Sequence, residues 1–174
     1  MPDYENWATS PRAITWDESL AFESPLLAQA YQTWAELGAG AIPARSRFTP
    51  RAVKAFVGHL TIFEKMADGG YLIRLMGTRI AATLGEMQGK RLEEALPALV
   101  ATRWSTALTR ALDEKKPLRI VTVVSLNDLH FLEAEIFIAP LSDDAGALNM
   151  VFTTTVFRAG VAKSTAVADL VGQK

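Results

Sequence analysis

Leu27, Ala30, Tyr31, Trp34 and Leu37 recur every three or four residues, the spacing of one face of an α-helix. Ser24 stands where an N-cap belongs, Pro25 suits the first helical position, and Gly38 and Gly40 follow the run. A helix with one strongly apolar face is therefore predicted from Pro25 to Leu37. After a turn-rich connector, Ile42 to Pro50, Thr49 and Pro50 open a short predicted helix that reaches about Phe56. Leu60–Lys65 and Tyr71–Met76 read as strands joined by the turn Asp68-Gly69-Gly70. Arg79 to Leu84 reads as a short helix stopped by Gly85, and Gly89 marks a turn before Leu92–Leu96.

The longest helical run is Leu99 to about Glu114, with Val100, Trp104, Ala107, Leu108, Ala111 and Leu112 on its buried stripe. Three strands follow, Leu118–Ser125, His130–Ala139 and Leu148–Phe157, separated by Asn127-Asp128 and Asp143-Asp144-Ala145-Gly146. Two strands, a helical crossover and a three-strand meander predict an α+β fold: a five-stranded antiparallel sheet with helices on one face, plus the N-terminal helix. Residues 1–25, broken by Pro2, Pro11 and Pro25, read as an irregular arm, 26–157 as the folded domain and 158–174 as a tail.

Along His130–Ile138 the alternation is informative. Leu132, Ala134, Ile136 and Ile138 share one face, which should meet the helices; Phe131, Glu133, Glu135 and Phe137 share the other. Phenylalanines alternating with acids call for an apolar cover, supplied either by the chain's own first helix or by a second subunit. Leu27, Tyr31 and Trp34 on the helix, with Phe131 and Phe137 on the strand, are the candidates for that contact.

Composition narrows the chemistry. The chain has 174 residues, 49% hydrophobic and 21% charged, enough for one domain with its own core. Eighteen Lys+Arg against nineteen Asp+Glu give a net charge of −1, which argues against nucleic-acid binding through a strong overall field. There is no cysteine, hence no disulfide, thiolate nucleophile or flavin–cysteine adduct. The first 25 residues are acidic, and no run approaches the ~18 apolar residues of a membrane span, so a cytoplasmic protein without membrane contact is expected. No convergent catalytic set emerges, and a non-enzyme is expected. Glu133 and Glu135, about 7 Å apart along one strand face, are the nearest to a carboxylate pair but point away from the helices. A small α+β cone-type enzyme with an acidic general base is the enzymatic alternative, yet the apolar strand faces offer no inward acid.

Several short motifs recur in a familiar order: a Trp-containing first helix (Trp34), the connector Pro43-Ala44-Arg45 closing on Pro50, then Arg74-Leu75-Met76-Gly77-Thr78, Gly85 and Gly89. In this order and spacing the chain resembles the bacterial single-domain PAS proteins of the PAS_5 type, over about residues 26–157. The resemblance implies a sensory or regulatory module that reports on a small ligand or a partner, and signalling by association, through a homodimer or a signalling-protein partner, is the expectation that follows. It supplies no cofactor. Haem-binding PAS domains usually carry a histidine on the long helix, and neither His59 nor His130 lies there. Sensing a small carboxylate would require a cation pointing inward.

Trp104, at the centre of the long helix's stripe, is the best candidate for a pocket wall, facing Phe63, Leu132, Ile136 and Phe152, with Met76 as adaptable packing. Arg74, read by alternation as sharing a face with Leu72 and Met76, is either an anion clamp or a cross-strand partner of Glu64, Glu133 or Glu135. Arg45 is expected to bond backbone carbonyls or a helix end. Pro43, Pro50, Gly77, Thr78, Gly85 and Gly89 read as structural positions; no phosphate-binding glycine spacing and no metal-ligand cluster accompanies them. An interaction module with a filled interior is the alternative to a ligand sensor.

Overall fold

A computed structural model describes residues 15–124 and 132–159. The elements are β1 (Thr15–Asp17), α1 (Pro25–Gly38), β2 (Leu60–Lys65), β3 (Tyr71–Met76), α2 (Thr78–Leu84), α3 (Leu92–Ala95), α4 (Ala98–Glu114), β4 (Leu118–Val123), β5 (Leu132–Leu141) and β6 (Met150–Ala159). The six strands form one sheet in the order β1-β4-β5-β6-β2-β3, every neighbouring pair antiparallel. The expected five strands are all present. The sixth, β1, corrects the reading of residues 1–25 as wholly irregular: Trp16 pairs with Ile120 and Asp17 with Arg119. A three-residue edge strand is too short to show a period, and it is held by its side chains. Trp16 packs against the inner core and lies under the Arg110 guanidinium, 4.9 Å from its ring centre, while Asp17 pairs with Arg119.

Helices lie on both faces. α2, α3 and α4 cover the inner face, where Phe63, Tyr71, Ile73, Leu108, Leu118, Ile136 and Val151 belong to one buried cluster. On the outer face α1 supplies the cover that the Phe/Glu alternation demanded, from within the same chain: Leu27, Ala30 and Trp34 pack with Phe137, Ala139 and Phe152. Phe137 sits edge-on to Phe22, Tyr31 and Phe152 at 5.5, 5.8 and 5.3 Å, and the Trp34 Nε1–H donates to the Pro140 carbonyl at 2.9 Å.

Residues 50–56, expected to be a helix, are successive turns. Seven residues are too few to sustain a helix unaided, and Phe48, Val53 and Phe56 must all reach the outer core, so tertiary packing sets this backbone. A second departure lies in β3. Ile62 pairs with Leu75 but Phe63 with Ile73, so Arg74 is the extra residue of a β-bulge. The bulge breaks the alternation: Met76 packs on the inner core and Leu75 on the outer one, whereas Arg74 is exposed. Just beyond, Gly77 is required by close approach, because a Cβ there would collide with the Val57 and Gly58 carbonyls.

A candidate ligand cavity and the ion network behind it

Between the inner sheet face and the helices the packing leaves a cavity of about 110 Å³. Phe63, Ile73, Met76, Trp104, Ala107, Ile120, Ala134 and Ile136 supply apolar wall, with Ile80, Leu84, Met87 and Leu92 from the short helices and the turn between them. Phe63 and Trp104 stack at 5.6 Å between ring centres. This space is smaller than the ~150 Å³ apolar cavity known to take up benzene, so a guest within it is limited to one ring or a short chain at most. Four threonines share the wall, Thr61, Thr122, Thr153 and Thr155, of which Thr61 and Thr153 are cross-strand partners. The Thr122 hydroxyl oxygen is buried and has no hydrogen-bond partner. Arg103 is the single charged side chain among the described lining residues, and burial moves its pKa down from the usual arginine value. An arginine so placed still carries its proton at neutral pH.

The other face of the same strands carries fixed charge. Glu135, fully excluded from water, accepts Nε–H of Arg119 at 2.7 Å. Its two oxygens also accept the backbone N–H groups of Glu23 and Ser24, at 2.8 and 3.0 Å, where the chain turns into α1. Arg119 reaches Asp17 as well, at 3.1 Å; Arg158 binds Glu23 and lies 3.5 Å from Glu133, its cross-strand partner. Bonds from the Ser19 hydroxyl and amide hold the Asp17 carboxyl below its ordinary pKa, helped by Arg119; the bond from Arg158 does the same for Glu23. These carboxylates are ion-pair partners that anchor β1 and the start of α1. Among the described residues there is no cluster of His, Asp or Glu fit to hold a metal, and no helix long and apolar enough to cross a membrane.

A strand pair, short helices, a long helix and a three-strand meander form the PAS order, and the sequence agrees with it: a family model described as a PAS domain, PAS_5, matches residues 22–155. The chain belongs to this PAS family. Among solved structures, the PAS domain of Bordetella pertussis BvgS is similar at 21% identity and a TM-score of 0.48, over 59% of this chain and 78% of that one. A sensory box sensor histidine kinase from Vibrio cholerae is similar at 17% identity and a TM-score of 0.44, over 80% and 98%. A light-oxygen-voltage domain studied with a flavin analogue is similar at 17% identity and a TM-score of 0.46, over 63% and 85%. Among curated proteins, none matches the sequence.

Within the PAS domain the residues singled out from sequence divide cleanly. Phe63, Met76, Trp104 and Ile136 line the cavity together. Phe152 does not: it lies on the opposite sheet face, against Phe48 and Phe137 at 5.0 and 5.3 Å, because the alternation along β6 turns Val151, Thr153 and Thr155 inward instead. Leu132, at the first position of β5, is half-buried and outside the lining. Arg74 is exposed, opposite inward-facing Ile73, and pairs with Glu64, one of its expected partners. Leu27, Tyr31, Trp34 and Phe137 meet in the outer core; Phe131 lies outside the described residues, as does His130.

Arg45 donates to the Phe48 carbonyl at 3.4 Å, and its neighbour Arg47 to the Leu37 carbonyl at 2.8 Å, near the end of α1. Pro43 accepts from the Ser142 amide, Pro50 begins the turns that replace the expected helix, Thr78 opens α2, and Gly85 closes it at φ 93°. Gly89, at φ 81°, donates to the Ile73 carbonyl and lets the following residues lie along the free side of β3. Sequence reasoning missed Arg103 and the four threonines. The signal for Arg103 was present: Val100, Arg103, Trp104 and Ala107 follow one helical stripe.

Proposed function

We propose that this PAS domain is a sensory module that binds a small ligand in the inner cavity and passes the signal on by association through α1. The observation that carries this reading is an apolar cavity, lined from strands and helices, with a cation and hydroxyls in its wall. Occupancy would shift α4 and the strands of the central sheet; β5 and β6 also bear α1, so the shift has a direct route to the outer face. α1 is held there by one aromatic cluster and by Glu135, and altered packing of that helix would change which surface a homodimer or a signalling partner meets. We place the protein in the cytoplasm, with no nucleic acid among its partners.

The placement of its acidic pair argues against an enzymatic role. Glu133 and Glu135, the acidic pair considered for catalysis, lie on the outer face in ion pairs with Arg158 and Arg119. An interaction module without ligand is the competing reading, favoured by the complete packing of the outer core. The two separate on Ala134→Phe, which puts a ring into the cavity from the sheet side. Native mass spectrometry of the purified chain should detect a retained or added small molecule that the variant loses. A bare wild-type chain that takes up nothing, with signalling intact in the variant, would establish the interaction module.

A further inference from the structure

Outside the cavity lining, positive charge collects along one stretch of the surface. Between Glu36 and Glu64 the chain carries Arg45, Arg47, Arg51 and Lys54 and no acidic residue, and α2, with Arg79, has none either. Arg45 and Arg47 are engaged with backbone carbonyls. Arg51, Lys54 and Arg79 are exposed, and among the described residues none of the three pairs with an acid, whereas Arg74, Arg91, Arg110, Lys116, Arg119 and Arg158 all do. The turns after Pro50 order these side chains. The amides of Phe56 and His59 donate three residues back, to the Val53 and Phe56 carbonyls at 3.0 and 2.9 Å, and residues three apart in such tight turns lie close to in line. Val53 and Phe56 form the buried row; Arg51, Lys54 and Val57 form an exposed one. Gly58 brings in the third cation, since it leaves room for the Arg79 stem, whose Cγ and Cδ lie 3.3 and 3.5 Å from where a Cβ would stand. Val57, flanked in this way, is the one large hydrophobic side chain exposed among the described residues, at 44%.

We propose that this row is a docking surface for an acidic segment of a partner protein, whose carboxylates meet Arg51, Lys54 and Arg79 and whose apolar side chain covers Val57. A guanidinium takes a carboxylate through two parallel N–H bonds, and the unpaired charge of all three cations draws an acidic chain in from a distance. Protein suits the row better than other polyanions. Single-stranded nucleic acid needs exposed rings to stack on, and the phenylalanines of this stretch, Phe48, Phe56 and Phe63, are all buried. An anionic membrane is held by clusters of about four to eight basic residues, and these cations beside a single valine fall short of that. The proposal rests on the partner half of the reading above, not on the cavity.

Fluorescence anisotropy on the full chain tests this with a fluorescein-labelled peptide of alternating glutamate and leucine, against the same peptide with glutamine in place of glutamate. The acidic peptide should bind about tenfold tighter or more than the neutral one, and should weaken as salt is raised. Arg51→Gln, Lys54→Gln and Arg79→Gln together should reduce its binding about tenfold or more, and Val57→Ser alone by a smaller factor. Lys90→Gln with Lys115→Gln, which removes exposed cations elsewhere, should leave binding unchanged. Circular dichroism checks that each variant folds. No binding of the acidic peptide, equal binding of the two peptides, or binding indifferent to the triple substitution would overturn the proposal. An equal loss in the Lys90 and Lys115 variant would do the same. Tighter binding of oligothymidylate or of phosphatidylserine vesicles, abolished by the triple substitution, would also overturn it and assign the row to nucleic acid or to a membrane. Ligand sensing is decided separately, by the native mass spectrometry above, so the failure of one is told from the failure of the other.

Discussion

On the outer face of the sheet, α1 and the turns from Pro43 to His59 leave Leu27, Phe56, Phe137 and Phe152 almost wholly excluded from water. On the inner face, α2, α3 and α4 meet the same strands yet stop short of filling the space between Trp104 and the threonines. The strands are common to both faces, so the difference comes from what covers them. A single long helix with a continuous apolar stripe docks along the outer face. The inner cover begins with two short helices of seven and four residues, linked through glycines, which present side chains from scattered angles. The lesson is that the irregular half of the cover, rather than the sheet, is where this fold leaves room for a ligand.

The comparison breaks most visibly at Glu135. Glu135→Ala leaves Arg119 with its closest partner gone and two backbone N–H groups without acceptors, and removing one member of a buried pair typically costs about 3–5 kcal/mol. Urea unfolding should register a loss of that order. Phe137→Ala should cost about 3–4 kcal/mol, since the ring is fully buried among three other aromatics; the same denaturation measurement checks it. On the inner face Thr122→Val removes a buried hydroxyl that bonds to nothing in the protein, and is expected to raise stability by about 1 kcal/mol. An outer core that tolerates Phe137→Ala, or a Thr122→Val variant that loses stability, would erase the contrast between the faces.

The smallest effect is set by pH. Asp17 and Glu23 have folded-state pKa values below their unfolded ones, so the stability they add is present above the ordinary carboxylate range and is lost as pH falls through the folded values. Thermal melts should therefore hold level from neutral pH down to about pH 4 and decline below it. The Arg158→Gln variant should show a shallower decline, because the Glu23 carboxyl then lacks the contact that lowers its pKa most. A decline just as steep in that variant would assign the acid sensitivity to other groups.

Much of the fold was legible because alternation and helical spacing report burial directly. Leu60–Lys65 and Tyr71–Met76 are strands with the expected bounds, and the last two strands differ by only about two residues at their ends. The faces of β5 were readable for the same reason: Ala134, Ile136 and Ile138 are in the inner core, Phe137 in the outer. Where a side chain's direction depends on a neighbouring strand, the pattern misleads. The bulge opposite Ile62 and Phe63 leaves Leu75 outward and turns Met76 inward, away from the face it was expected to share with Arg74, which no count within residues 71–76 reveals. β1 is equally hidden, because its three residues gain stability from Arg119 and Arg110, about a hundred positions away. Of the cavity, the aromatic and aliphatic wall could be read from the stripe containing Trp104. The threonines could not, since a hydroxyl on a buried strand face looks the same in sequence whether it meets a carbonyl or empty space.

Glu135 grips α1 by peptide amides, and so positions 23 and 24 are free to drift in evolution as far as this tether is concerned. Proline is the exception at either position, since it has no amide hydrogen to offer. The burden of heredity falls on one acidic codon in the middle of β5, more than a hundred residues from the helix it secures.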